Sequence, residues 1–511
     1  MRHRAGLLAV ALAVLAAGCF GLAAPGGSPG QGTGPAGPGA GSPDLSDSSS
    51  APPDPRVDHL GWEDGYWYDE SVPVDRNDGL NDSELYAVVS RSMARIERIR
   101  EIEFETRVSV EVVSREAYAA DRTRRNYSTR TRLHANAKWE AAFVVDESTD
   151  ALATRDSNRA ASVGGFYRPG REKIVIVSEN ATTPRMNEIT LAQELFHALQ
   201  DQAFDAFSEP WYPGRTIEGH NAADGIIEGD GNYVDHLYQR RCEGDWDCLL
   251  PRPGNTNGSG DNNGGFNLGM FAVTFHPYSS GPAFVKRLHE REGWEAVNDL
   301  YEDPFGSSAQ LIHPRKYGED APEPPEIDHT ASNGWRVLDM GEGRVDYASF
   351  GEAGLAVMLW YPSAVETRER GTPTNVIVNY TAFFRFAEDG GGLRSIGPYN
   401  YDFPVTAGWD GDRLVPYVTD DSASTNETGY VWKIRWETRG DAVEFREGYE
   451  ALLAYHGAEP VPGRADTYRI SEGEAFADAF HVRQDGRTIT IVNAPTVADL
   501  GDIHGGAGDR T

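Results

Sequence analysis

The stretch Gln193-Glu194-Leu195-Phe196-His197-Ala198-Leu199-Gln200-Asp201-Gln202 decides how this chain is read. Positions 193 and 197 are one helical turn apart, so on a helix they share a face and reach toward one point. Two imidazoles at that spacing hold a metal ion, and a glutamate directly after the first polarises the attacking water. Here Glu194 and His197 keep that pattern, while Gln193 takes the place of the first imidazole. A carboxamide oxygen is neutral and a poorer zinc donor than imidazole. If ~10 to 16 kcal/mol of zinc binding is shared over four ligands, losing one costs about 3 kcal/mol, roughly two decades in affinity.

Outward from the motif, the apolar stripe Leu191, Leu195, Ala198 and Leu199 predicts a helix buried on one side whatever its chemistry. Thr183-Pro184 is a fitting start and about Phe204 its end. Periodicity predicts a helix over Asp82 to Arg100, a strand over Val108 to Val113, and a strand pair from Ala141 to Val145 and from Gly165 to Val177. Helices follow over Asn221 to Arg241 and Gly281 to Glu292. Pro322-Glu323-Pro324-Pro325 marks a boundary. Beyond it come a helix over Phe350 to Tyr361, strands at Arg413 to Val418, Tyr430 to Trp436, Phe480 to Arg483 and Thr488 to Val492, and a helix over Asp441 to Tyr455. The class is α+β: a peptidase-like domain over 62–325, with a small sheet and active-site-type helices, then a second α+β domain over 330–500 with an antiparallel sheet. Residues 501–511 are Gly-rich and expected to be a mobile tail.

Charge narrows the function classes. The chain has 79 acidic against 47 basic residues, a net charge of −32. Such a field repels nucleic acid and anionic lipid. Aromatic and aliphatic residues remain plentiful, so the chain is a folded protein with an acidic skin, and high-salt adaptation is the favoured reading.

The first residues read as an address. Arg2 and Arg4 precede an apolar run from Leu7 to Ala17, too short to span a bilayer and of the length of a signal h-region. The run ends Leu15-Ala16-Ala17-Gly18-Cys19, which resembles a lipobox; Cys19 is then the lipidated first residue of the mature protein. Residues 1–18 are the signal peptide and 19–61 a Gly/Pro/Ser-rich tether. Together they predict an extracytoplasmic protein, lipid-anchored at the cell surface. Cys242 and Cys248 are close enough in sequence to close a small disulfide loop there. Sequons at Asn81, Asn126, Asn180, Asn257, Asn379 and Asn426 fit a secreted surface.

The motif Gln193 to Gln202 resembles HELxHALQDQ, found in uncharacterised bacterial and archaeal zincin-like proteins. The resemblance implies that Glu228, in Ile227-Glu228-Gly229-Asp230, is the further metal ligand beside His197 and the Gln193 position, with Glu194 as general base. Tyr278 to Phe284, Leu311 to Tyr317 and Trp409 to Arg413 extend the similarity, which is closest to a family of haloarchaeal surface lipoproteins without known activity. Asp224, His220, Asp230 and His236 are candidates for a replacement ligand; Asp224 lies one turn before Glu228. His276, His289 and His313 read as structural, Gly254 to Gly265 as a solvated loop, and Trp409 to Asp412 as a hairpin turn. The leading expectation is a surface protein whose disabled metallopeptidase-like domain, with no zinc or weakly bound zinc, binds an envelope protein or peptide or serves envelope structure. The alternative is a zinc metallopeptidase with an atypical ligand set. A third reading gives the function to the acidic C-terminal unit, as a receptor-like module.

Overall fold

The computed structural model describes residues 54–509 other than 76–77, 123–125, 163, 209–215, 250–265, 320, 389 and 391. The expected signal segment, Cys19, nearly all of the tether, Asn257 and the loop from Gly254 to Gly265 lie outside the described residues.

A hairpin of β1 (Trp62–Glu63) and β2 (Tyr66–Trp67) leads into α1 (Asp82–Arg100). Asn81 caps α1 reciprocally: its side chain accepts from Ser83 and Glu84 N–H, and Glu84 accepts from Asn81 N–H. After β3 (Ser109–Ser114) come α2 (Arg115–Arg122), α3 (Thr129–Ala141), α4 (Ala151–Ser162), β4 (Gly165–Arg168) and β5 (Lys173–Ser178). The order β3-β5-β4 makes a three-stranded sheet, β3 parallel and β4 antiparallel to β5. Helix α5 (Glu188–Phe204) packs on it and α6 (Ile217–Cys242) packs against α5, followed by α7 (Leu268–Thr274), α8 (His276–Glu292), α9 (Trp294–Glu302) and α10 (Ala309–Ile312).

The C-terminal half contributes β6 (Arg336–Val337), α11 (Gly351–Arg370), β7 (Trp409–Val418), β8 (Gly429–Trp436), α12 (Arg439–Tyr455), β9 (Glu459–Pro460), β10 (Thr467–Arg469), β11 (Ala479–Asp485), β12 (Thr488–Ala494) and α13 (Leu500–Ile503). Its seven strands pair antiparallel in the order β6-β7-β8-β12-β11-β10-β9. The fold is α+β, as expected.

Four expectations are corrected. The strand at Ala141 to Val145 is instead the end of α3 and the bend after it; Phe143 turns through a φ of 53° while its side chain stays buried. The motif helix starts at Glu188, because the Asn187 side chain accepts from Ile189 N–H and caps it there. Trp409 to Asp412 is a bulge inside β7, and the buried Asp412 carboxylate accepts from Phe350 and Gly351 N–H, fixing the start of α11. Residues 501–509 are not a loose end: Leu500, Ile503 and Ala507 are buried against the sheet.

The proline run at 322–325 is likewise no division in packing. One apolar cluster joins Trp139, Phe143, Met270 and Phe275 of the first half with Phe350, Trp432, Trp436 and Phe480 of the second. Continuous burial on this scale makes the halves share one core.

Candidate functional site

Close approach of three helices builds the site. Gly231 faces α5, where an added Cβ would sit in ordinary contact 3.4 Å from His197 Cε1. Gly229 and Gly281 let α6 cross α8 backbone to backbone; a Cβ on Gly281 would stand 2.6 Å from Gly225 O. On α6 the positions of Asp224, Glu228 and Asp235 follow helical spacing and turn toward α5.

A relay of hydrogen bonds fixes the His197 ring. Arg100 grips Asp230 with contacts of 3.0 to 3.2 Å, both groups fully buried. Tyr301 Oη donates to Asp230 Oδ2 at 2.9 Å and accepts from Gln200 Nε2 at 2.6 Å. Gln200 Nε2 also donates to Ile227 O at 2.9 Å, so its Oε1 faces His197 Nδ1 at 2.8 Å. Nδ1 therefore carries the proton, and the Nε2 lone pair is left facing Glu228 Oε2 at 3.7 Å. Gln200 is thus the residue that sets the tautomer.

The two carboxylates are also held. Glu194 Oε2 accepts from Tyr167 N–H at 2.8 Å, so the carboxylate joins α5 to the edge strand β4. Tyr278 Oη donates to Glu228 Oε1 at 2.8 Å. Asp201 accepts from Tyr167 Oη at 2.6 Å, and Gln202 accepts from Glu105 N–H at 2.9 Å, so both motif residues pack the helix against its neighbours.

Burial sets the protonation states. It pushes His197 down to about 4, against the smaller opposing pull of the Gln200 hydrogen bond. It pushes Glu228 well up, helped by the charges of Asp224, Glu194 and Asp235 and opposed by the Tyr278 hydroxyl. Asp235 is also raised, by burial and then by Glu194. Burial therefore disfavours the charged form of both His197 and Glu228, as expected where charge would be taken out of water.

A zinc ion would find an incomplete donor set at the motif. His197 Nε2 and Glu228 Oε2 face each other as two ligands would, but Gln193 is buried with an Nε2 that has no acceptor. Among the described residues, groups of three or more metal-type side chains occur at His313, Glu352 and Asp402 and at Glu140, Glu147 and Asp478, away from the motif. Two donors fit zinc and the set does not complete. Of the candidate replacements, Asp230 is spent on Arg100 and Tyr301, and His236 is half-buried and lies in the field of Lys286 and Arg240. Asp224 is near enough to act on Glu228. Sequence reasoning missed Asp235, two turns after Glu228 on the same face; that spacing was the available signal.

Cys242 and Cys248 are bonded, with Cα atoms 5.5 Å apart. The bridge ties the end of α6 to the segment whose Leu249 N–H reaches Glu188 Oε2 at 2.7 Å. No described helix is long and apolar enough to cross a membrane.

Residues 336–504, β6 to α13, match a family model described as Domain of unknown function (DUF8575). No curated protein and no solved structure matches the chain.

Proposed function

We propose that this is a lipid-anchored extracytoplasmic surface protein whose zincin-like unit has lost hydrolytic competence and serves in binding or envelope structure. The observation that carries the reading is the state of the motif: Glu194, His197 and Glu228 are each buried and each engaged by a protein partner. A general base needs a water and a substrate within reach. Glu194, 1% exposed and committed to Tyr167 N–H, lacks that access. The apolar run before Cys19 and the Gly/Pro/Ser-rich stretch after it supply the anchor and tether, and the net charge of −32 suits a surface in strong salt.

Metal analysis at high salt, together with a casein cleavage assay, tests this reading. The expected result is no cleavage; cleavage that a chelator stops would overturn it. A second reading, a zinc metallopeptidase with an atypical ligand set, draws on the tautomer relay. Orientation of a histidine by a hydrogen bond on its far nitrogen is how metal ligands are aimed, and Gln200 does this for His197.

A further inference from the structure

We propose that His313, Glu352 and Asp402 bind one divalent transition-metal cation, at a site separate from the motif helix. Each offers one ligand atom, and these atoms all lie within 4.8 Å of one another. Donors around an ion at ~2.0 to 2.2 Å stand about 3 to 3.5 Å apart, so small side-chain adjustments suffice to enclose one.

A second observation points the same way. Glu352 is fully buried; its Oε1 lies 2.7 Å from His313 Nε2, but its Oε2 has no hydrogen-bond partner. A buried carboxylate oxygen is normally satisfied, and a cation held between the three side chains would satisfy this one. The ligands come from three segments already fixed in place. His313 follows α10, with its N–H on Ala309 O and its carbonyl accepting from Lys316 N–H, both at 2.8 Å. Glu352 sits in the first turn of α11. Asp402 sits in a loop braced by Asn400, whose side chain accepts from Arg385 at 2.8 Å and from Asp402 N–H at 3.3 Å. Lys316, the nearby cation, is engaged by Glu437 at 2.5 Å.

One imidazole with two carboxylates suits zinc or manganese better than calcium or magnesium, which prefer all-oxygen sets. Asp402 is exposed and gives the ion its way in, while the buried Glu352 gives a dry floor. Bound metal displaces the proton on His313 Nε2 and clamps the two halves of the chain across their shared core.

The test is calorimetric titration of the chelator-treated full chain with zinc chloride and with manganese chloride, at high salt with excess magnesium to mask loose surface binding. We expect one equivalent bound, weakened on the order of tenfold or more in Asp402→Asn and in His313→Gln. His197→Gln should leave that equivalent unchanged, which separates this site from the motif. Asp402 is a surface residue, so Asp402→Asn tests the site even where His313→Gln disturbs folding. Equal binding by wild type and Asp402→Asn, or no retained equivalent in the wild type, would overturn the proposal and leave His313 and Glu352 as an ion pair only.

Discussion

Two histidine–glutamate pairs in this molecule meet different fates. Between α5 and α6, His197 and Glu228 stand 3.7 Å apart, both buried, and burial drives each toward its neutral form. Between α10 and α11, His313 and Glu352 are 2.7 Å apart. There the hydrogen bond to Glu352 outweighs burial and raises His313 above its ordinary value, although burial still raises Glu352. The difference is one of contact against solvation: a direct bond and a partly open imidazole sustain charge, while a longer gap in a dry site does not. The motif pair is dry and stands farther apart, while the second pair is in direct contact and partly open to solvent.

The largest expected effect breaks the frame that holds the first pair. Asp230→Ala strands the buried Arg100 and releases Tyr301, and should cost about 3 to 5 kcal/mol in chemical denaturation. A loss below about 1 kcal/mol would mean the relay does not anchor His197.

Next comes pH, where the two histidines have opposite signs. His197 titrates near 6.5 when unfolded and about 4 when folded, so the stability gained by keeping it neutral declines as pH falls from 6.5 to 4. Across that window the wild type should lose up to about 3 kcal/mol more than His197→Gln. His313 has a raised folded pKa, from Glu352 and Asp402 against burial and Lys316, so its contribution is full below pH 6.5 and is lost as pH rises through that folded value. In metal-free protein, His313→Gln should therefore be more destabilising at pH 5.5 than at pH 9, and equal effects at both would remove the contrast.

Gln193→His restores the missing imidazole. Zinc affinity at His197 should rise by roughly two decades, read by titration in a His313→Gln background. No gain would mean that the helix faces have drifted apart. The smallest effect is expected from Glu228→Gln, a neutral isostere placed where burial opposes charge, which should shift stability at pH 7 by less than about 1 kcal/mol.

Much of the motif region was legible, because its information is local. The stripe Leu191, Leu195, Ala198 and Leu199 gave the helix, and that helix carries Gln193, Glu194 and His197. What fixes their states was not legible: Arg100, Tyr167, Tyr278 and Tyr301 arrive from distant segments, and no spacing rule joins them to the motif. Helix α3 was missed because it buries Ala135, Asn136 and Trp139 on several faces and so lacks a clean amphipathic period. The proline run takes part in packing as well. It is a strap across the sheet, with Glu323 O accepting from Arg435 at 3.0 Å, and proline marks straps as readily as linkers. His313 looked structural because its partners, Glu352 and Asp402, are far away in sequence.

Peptide cleavage by the full chain at high salt with added zinc, set beside Glu194→Gln, tests the inert motif most directly. Our account predicts no chelator-sensitive cleavage by either protein, since Glu194 is committed to the edge of β4. Cleavage by the wild type that a chelator stops and Glu194→Gln abolishes would contradict it.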